Sequence, residues 1–126
     1  MTRSVIRTDR APAAIGPYSQ GIAYGGLVFC AGQIPLDPAT GTLVAGGIRE
    51  QARRVVENLE AVLREAGAGL GSVLRLDVYM TDLSGFPQVN DLLSDVFRQD
   101  PPARVTVQVA ALPMGAEIEM AAIAAL

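Results

Sequence analysis

The chain has 126 residues, of which 50% are hydrophobic and 18% charged, and its formal net charge is -3. This length indicates one domain, and a mildly negative chain without a basic run excludes an electrostatic surface for nucleic acid or anionic membranes. With no histidine and one cysteine, histidine-based catalytic triads, histidine metal sites and zinc clusters are also excluded. Catalysis would have to use carboxylates, arginine, tyrosine, hydroxyls or backbone groups.

The first third of the chain predicts strands joined by marked turns. We expect a short strand over residues 4–7, a proline- and glycine-rich loop over 11–17, and a hairpin of 18–24 with 27–31 through Gly25-Gly26. Residues 37–41 have the proline and glycine typical of a tight turn. Cys30 is interpreted as a small buried hydrophobe, because no base or cation lies near it in sequence.

Two amphipathic helices follow, with a strand over residues 72–80 between them. Apolar residues at spacings of three and four predict the first helix from Ile48 to a stop near Gly67. Ser84 is predicted to cap the second helix, and Pro87 fits its first turn. The buried stripe of the second helix is predicted to be Phe86, Val89, Leu93, Val96 and Phe97.

The last quarter predicts a terminal hairpin after Pro101-Pro102. Val105, Val107 and Val109 alternate with polar residues, a turn follows at 112–115, and residues 116–126 alternate again. Burying these valines together with Ile118 and Met120 fixes which face each residue occupies, and a register with Ala110 opposite Glu117 meets this condition. Arg104 and Glu119 would then share a face, about 13 Å apart.

A direct salt bridge between these two charges is impossible at that separation. A ligand or a neighbouring chain would have to satisfy each charge if the face is covered, and a solvated face with ordinary surface charges is the alternative. The element order predicts an α+β fold in two layers, a mixed sheet with both helices on one face. The other face must meet water or another subunit.

Several motifs, taken together in this order and spacing, resemble the Rid/YjgF family of reactive intermediate (imine/enamine) deaminases over nearly the whole chain. They are Ala11-Pro12-Ala13-Ala14-Ile15-Gly16-Pro17-Tyr18-Ser19-Gln20-Gly21, Gly32-Gln33-Ile34-Pro35, Val89-Asn90, Pro102-Ala103-Arg104 and Glu117-Ile118-Glu119. The resemblance implies a single domain over residues 1–126 with a chorismate-mutase-like fold. It also implies a homotrimer around a central sheet barrel, with pockets between adjacent subunits.

By the same resemblance, the chain hydrolyses 2-imino acids, such as the tautomer of 2-aminoacrylate, to 2-keto acids and ammonia. Arg104 is similar to the arginine that holds the substrate carboxylate, and Glu119 to the acid that positions the attacking water. Tyr18 and Gly32 are implied to line the pocket. An activated imine needs protonation and an oriented water, so no cofactor or metal is expected.

Four positions depart from the commoner family pattern, which bears on substrate preference. Ala31 stands where a serine is frequent, and Thr106 stands where a cysteine is frequent. Ala121 takes the place of a frequent acid, and Met114 takes the place of a frequent lysine. The retained arginine and glutamate keep the reaction class.

Other interpretations remain open from sequence. The same pocket would also suit a non-catalytic trimer that binds 2-keto acids or has a regulatory role. A ribonuclease activity, attached to some relatives, lacks a histidine, a basic groove and a stacking platform here. Asn90 is interpreted as a structural hydrogen-bonding residue outside the site. The lone cysteine and the absence of a secretory hydrophobic run at residues 1–4 predict a cytoplasmic protein with neither membrane nor nucleic-acid partners.

Overall fold

A computed structural model describes residues 2–126, which form six strands and two α-helices. The strands are β1 (Ser4–Ile6), β2 (Gly21–Tyr24), β3 (Leu27–Gln33), β4 (Val73–Met80), β5 (Ala103–Gln108) and β6 (Ile118–Ala125). The helices are α1 (Ile48–Glu65) and α2 (Phe86–Val96). One sheet contains all six strands in the order β1-β2-β3-β6-β4-β5, and buried residues of both helices join its core. The predicted α+β fold with a mixed sheet is confirmed.

Glycine permits the turn between β2 and β3. Gly25 and Gly26 have φ angles of 60° and 81°, the left-handed conformation that a two-residue turn with the twist of its strands requires. Tyr24 pairs with Leu27 directly across this turn. The predicted hairpin is therefore confirmed.

The two helices begin and end close to the predicted positions. After α1, Gly67 has a φ of 88° and the Ala68 N–H donates to the Leu63 carbonyl at 2.9 Å, which satisfies a carbonyl of the last turn. The predicted cap of α2 is wrong. Asp82 accepts a hydrogen bond from the Ser84 N–H at 2.9 Å in a preceding 3₁₀ turn, and the helix starts only at Phe86.

The predicted terminal hairpin is also wrong. Strand β5 pairs in parallel with β4 at the edge of the sheet, while β6 lies between β3 and β4 and is antiparallel to both. The reason is that α2 returns the chain across the sheet, and a strand–helix–strand crossover brings β5 alongside β4 in the same direction. The other edge of β4 is then left to the C-terminal strand.

This topology reverses the predicted facing of the two charges. Arg104 pairs with Leu76, which is buried beneath the helices, whereas Glu119 pairs with Tyr79 on the opposite face. Val105 and Val107 are not buried with Ile118 and Met120 as predicted: they lie on the face that carries Glu119, and each is 39% exposed. Within one chain, therefore, Arg104 and Glu119 project from opposite faces of the sheet.

The face of the sheet without helices, here called the open face, carries several exposed apolar side chains. Strand pairing places Val5, Tyr24, Phe29, Val105 and Val107 on this face, and all five are exposed in the single chain. Apolar patches of this kind on a sheet usually mark a surface that another protein covers. Across residues 2–126, none of the helices combines the length and the apolar character needed to cross a bilayer.

Candidate functional site

A buried glutamine organises the loop that leads to Tyr18. Gln20 is 3% exposed, accepts the Thr8 N–H at 2.7 Å and donates to the carbonyls of Thr8, Ala11 and Pro12 at 3.0, 3.3 and 2.8 Å. A buried amide with its bonds satisfied in this way fixes the backbone around it. Gln20 thereby holds the loop whose later residues form one wall of a cavity.

That cavity brings together three of the four predicted site residues. It has a volume of about 340 Å³, and Tyr18, Gly32 and Glu119 line it together with Met114. The Tyr18 hydroxyl accepts the Ile15 N–H at 3.3 Å, and its side chain remains exposed. We call this space the glutamate cavity.

A bulge in β3 gives Glu119 its place. Two residues, Ala31 and Gly32, stand between the pairs Cys30–Ala122 and Gln33–Met120, where β6 has only Ala121. The Glu119 carboxyl lies directly over Gly32: a Cβ added at Gly32 would lie 2.9 Å from the Glu119 Cδ. Only glycine leaves room for this carboxyl without a shift.

The Glu119 carboxyl is half-buried, and burial raises its pKa above the ordinary value for glutamate. The cause is desolvation, which disfavours the charged form. Among residues 2–126, no arginine forms an ion pair with this carboxyl that would oppose the shift. The Glu119 carboxyl therefore keeps its proton to a higher pH than a fully solvated glutamate does.

The backbone behind the glutamate cavity is held by helix α1. Asn58 is fully buried and donates to the Ile34 and Leu36 carbonyls at 3.2 and 3.0 Å. The side-chain Oδ1 of Asn58 accepts a hydrogen bond from Arg54 Nε at 3.1 Å. Because Ile34 and Leu36 both line the cavity, these bonds anchor its wall to the core.

Arg104, the fourth predicted site residue, lies in a different cavity. This space of about 510 Å³ is bounded by α2 and the start of β5, and it shares no lining residue with the glutamate cavity. We call it the arginine cavity. The structure therefore gathers Tyr18, Gly32 and Glu119 and leaves Arg104 apart from them.

Two residues of α2 orient the Arg104 guanidinium. Its Nη1 donates to the Asn90 Oδ1 at 3.0 Å, and its Cζ lies 5.1 Å from the centre of the Phe86 ring. The first is a charge-assisted hydrogen bond and the second a cation–π contact, and together they limit the rotamers of a long side chain. The remaining guanidinium donors are available to a planar anion.

The sequence predicts Asn90 to lie outside the site. Its predicted role as a hydrogen-bonding residue is confirmed, but the partner is Arg104, which makes Asn90 part of the arginine cavity. The available signal was an amide on an otherwise apolar helix face, next to Val89 in a shared motif. Pairing it with Arg104 required the position of β5 beneath α2.

Cys30 behaves as predicted. It is buried, and desolvation raises the pKa of its thiol to about 12. A thiol with such a pKa is almost entirely protonated at neutral pH and is a poor nucleophile.

Comparison with known proteins identifies the family of this fold and of these motifs. A family model described as endoribonuclease L-PSP matches residues 8–126. The chain belongs to the Rid/YjgF family. A RutC family protein of Pyrococcus abyssi is 51% identical over 98% of both chains. The 2-iminobutanoate/2-iminopropanoate deaminase of Mus musculus is 43% identical over 97% of this chain and 90% of that protein.

A solved structure extends the match within the Rid family to three dimensions. The Rid family protein of unknown function from Yersinia pestis is 44% identical to this chain. It superimposes with a TM-score of 0.96 over 99% of this chain and 100% of that one. The predicted resemblance to the Rid/YjgF family is thus confirmed in sequence and in fold.

Proposed function

We propose that this Rid family chain hydrolyses reactive 2-imino acids to 2-keto acids and ammonia, in a site built between copies of itself. The observation that carries the proposal is the half-buried Glu119 carboxyl over Gly32 and beside Tyr18, in a cavity that no arginine among residues 2–126 lines. The cation suited to the substrate carboxylate, Arg104, is oriented by Asn90 in the other cavity. The glutamate cavity would supply the base and the arginine cavity the cation, so a complete site needs both.

A homotrimer reconciles these positions. The open face exposes apolar side chains that a second copy would bury, and Val105 and Val107 belong to the same edge strand as Arg104. An edge strand docked against a neighbouring subunit would carry Arg104 toward the partner, where it would meet that copy's glutamate cavity. A closed ring of three would repeat the same contact at each interface.

Two groups would perform the chemistry. Arg104 would hold the substrate carboxylate in a bidentate pair, with Asn90 limiting the motion of the guanidinium. Glu119, as a carboxylate, would orient a water toward the iminium carbon and accept its proton as the carbon–oxygen bond forms. Protonated Glu119 would return that proton to the carbinolamine nitrogen. The carbon–nitrogen bond would then break as Glu119 accepts the hydroxyl proton and the 2-keto acid forms, and the departing ammonia would take this proton to leave as ammonium.

The burial of Glu119 suits both halves of this cycle. A raised pKa brings the carboxyl closer to the working pH, so that it takes a proton in the first step and returns it in the second.

Competition for a short-lived imine tests the proposal. A pyridoxal-phosphate dehydratase generates 2-aminoacrylate, semicarbazide traps the residual imine, and the protein is added in increasing amounts. We expect the semicarbazone to fall and the 2-keto acid to rise in proportion to the protein. Semicarbazone formation that is unchanged at protein concentrations equal to the dehydratase would contradict the proposal.

The non-catalytic alternative also has an observation in its favour. The arginine cavity of about 510 Å³ contains Arg104, Asn90 and Ser94 and can hold a 2-keto acid without any contribution from Glu119. A regulatory trimer would bind 2-keto acids through Arg104 and show no imine turnover. Glu119→Gln separates the two: for an enzyme the variant loses turnover and keeps binding, whereas for a regulatory trimer wild type and variant bind equally and neither turns over.

A further inference from the structure

The arginine cavity contains a second cation that the proposed reaction does not use. Arg98 follows α2 and lines the cavity together with Arg104, while none of the aspartates and glutamates in the described part of the chain lines it. Two guanidinium groups in one concave space, without a carboxylate, form a site of positive potential. Such a site fits a ligand with more than one negative charge.

The nearest acids on α2 are already engaged elsewhere. Asp91 and Asp95 both bind Arg49 of α1, at 2.7 and 3.3 Å. Arg98 makes a single hydrogen bond, from its Nε to the Asp95 backbone carbonyl at 3.3 Å. Within residues 2–126, neither Arg98 nor Arg104 has a carboxylate at salt-bridge distance.

The rest of the lining fits the carbon chain of a small acid. Leu76, Leu93 and Phe97 supply an apolar wall, and Pro101-Pro102 form a stiff rim between the two arginines in sequence. A volume of about 510 Å³ is in the range of small-molecule sites and larger than a three-carbon acid needs.

We propose that this cavity selects 2-imino and 2-keto acids that carry a second carboxylate, with Arg104 on the carboxylate next to the reacting carbon and Arg98 on the distal one. This selectivity rests on the proposed function, because that function assigns Arg104 to the carboxylate next to the reacting carbon. Arg98 acts as a specificity residue: it adds affinity only for acids that are long enough to reach it and that carry a second carboxylate.

A purely structural role for Arg98 makes a different prediction. A cation after the last turn of a helix stabilises the helix dipole, and the bond to the Asp95 carbonyl is of that kind. In that case loss of the guanidinium would lower the unfolding temperature without changing which acids bind.

Calorimetry with two 2-keto acids tests the proposal, with 2-ketoglutarate as the dicarboxylate and 2-ketobutyrate as the monocarboxylate. We expect wild type to bind 2-ketoglutarate about fivefold more tightly, the gain of one well-formed but solvent-accessible ion pair. Arg98→Gln should abolish this preference and leave 2-ketobutyrate binding unchanged. Arg53→Gln, which removes an exposed arginine of α1 outside the cavity, is the matched control and should retain the preference.

Three results would overturn the proposal: equal affinities of wild type for the two 2-keto acids, an equal loss of preference in Arg98→Gln and Arg53→Gln, or a lowered unfolding temperature of Arg98→Gln with the preference intact.

Imine hydrolysis separates this proposal from the proposed function. If no imine is hydrolysed but the binding preference disappears in Arg98→Gln, deamination fails and the selectivity holds. If imines of monocarboxylic and dicarboxylic acids are hydrolysed with equal kcat/KM, the selectivity fails and deamination holds.

Discussion

Replacing Gly32 with alanine tests whether the bulge in β3 positions the Glu119 carboxyl for the proposed reaction. The added Cβ would lie 2.9 Å from Glu119 Cδ and 3.3 Å from Cγ, so the carboxyl must move by several tenths of an ångström or more. Displacements of about 1 Å in a reacting group can cost about a hundredfold in rate. We therefore expect kcat for imine hydrolysis to fall by about a hundredfold.

The stability of Gly32→Ala should change little. The φ angle of Gly32 is not positive, so alanine fits the backbone, and the obstructing atoms belong to the end of a flexible side chain. Alanine lowers the conformational entropy of the unfolded chain, which stabilises the folded protein by about 0.4–1 kcal/mol and offsets the destabilising clash. Urea denaturation should place the two proteins within about 1 kcal/mol of each other.

Gly71→Ala is the matched control, because a Cβ there meets no atom within 4 Å and the backbone φ is also not positive. Hydrolysis by this variant should equal that of wild type. If Gly32→Ala hydrolyses imines at the wild-type rate while folded, the position of the carboxyl over Gly32 does not matter to the reaction and the proposed role of the bulge is wrong.

Three further predictions concern the arginine, the glutamate and the assembly. Arg104→Ala should abolish 2-keto acid binding by calorimetry with the fold intact by circular dichroism, and Arg104→Lys should restore little because an ammonium lacks the bidentate geometry; binding retained in Arg104→Ala would refute the assignment. Glu119→Gln should keep 2-keto acid binding and lose about a hundredfold or more in hydrolysis; an unchanged rate would remove Glu119 from the mechanism. Sedimentation equilibrium should give a trimer, which Val107→Asp on the open face should dissociate; a stable monomer of the wild type at micromolar concentration would contradict the proposed site.

The raised pKa of Glu119 adds a dependence on pH to these predictions. Because the folded chain holds this proton more tightly than the unfolded chain, stability falls as pH rises through the raised pKa. Glu119→Gln removes this titration, so its gain in unfolding temperature over wild type should be largest above the raised pKa and smallest below the ordinary pKa of glutamate. The rate of hydrolysis by wild type should instead fall as the pH is lowered, because acid protonates the Glu119 base.

Much of the fold followed from local patterns. The Gly25-Gly26 turn, the apolar stripe of α1 and its stop before Gly67 are each decided by interactions between residues close in sequence, and each prediction was confirmed. The predicted cap of α2 was wrong, because Ser84 lies within a 3₁₀ turn that Asp82 caps and α2 starts only at Phe86.

The error in the C-terminal quarter has a definite physical cause. Alternation identifies β5 and β6 as strands but carries no information about which strands they pair with. A hairpin assumes that strands adjacent in sequence are adjacent in space, whereas α2 returned β5 parallel to β4 and left the centre of the sheet to β6. One wrong pairing then placed Arg104 and Glu119 on the same face.

The sequence alone determined the residue types available for chemistry: no histidine, two glutamates and one arginine in motifs that resemble the Rid family, and a chain able to make two helices and a sheet. Only the tertiary structure decided that Gly32 makes room for Glu119, that Asn90 holds Arg104, and that the two charges lie in separate cavities. These relations depend on contacts between residues 14 to 87 positions apart. Such contacts are set by strand order and by a bulge, which local periodicity does not encode.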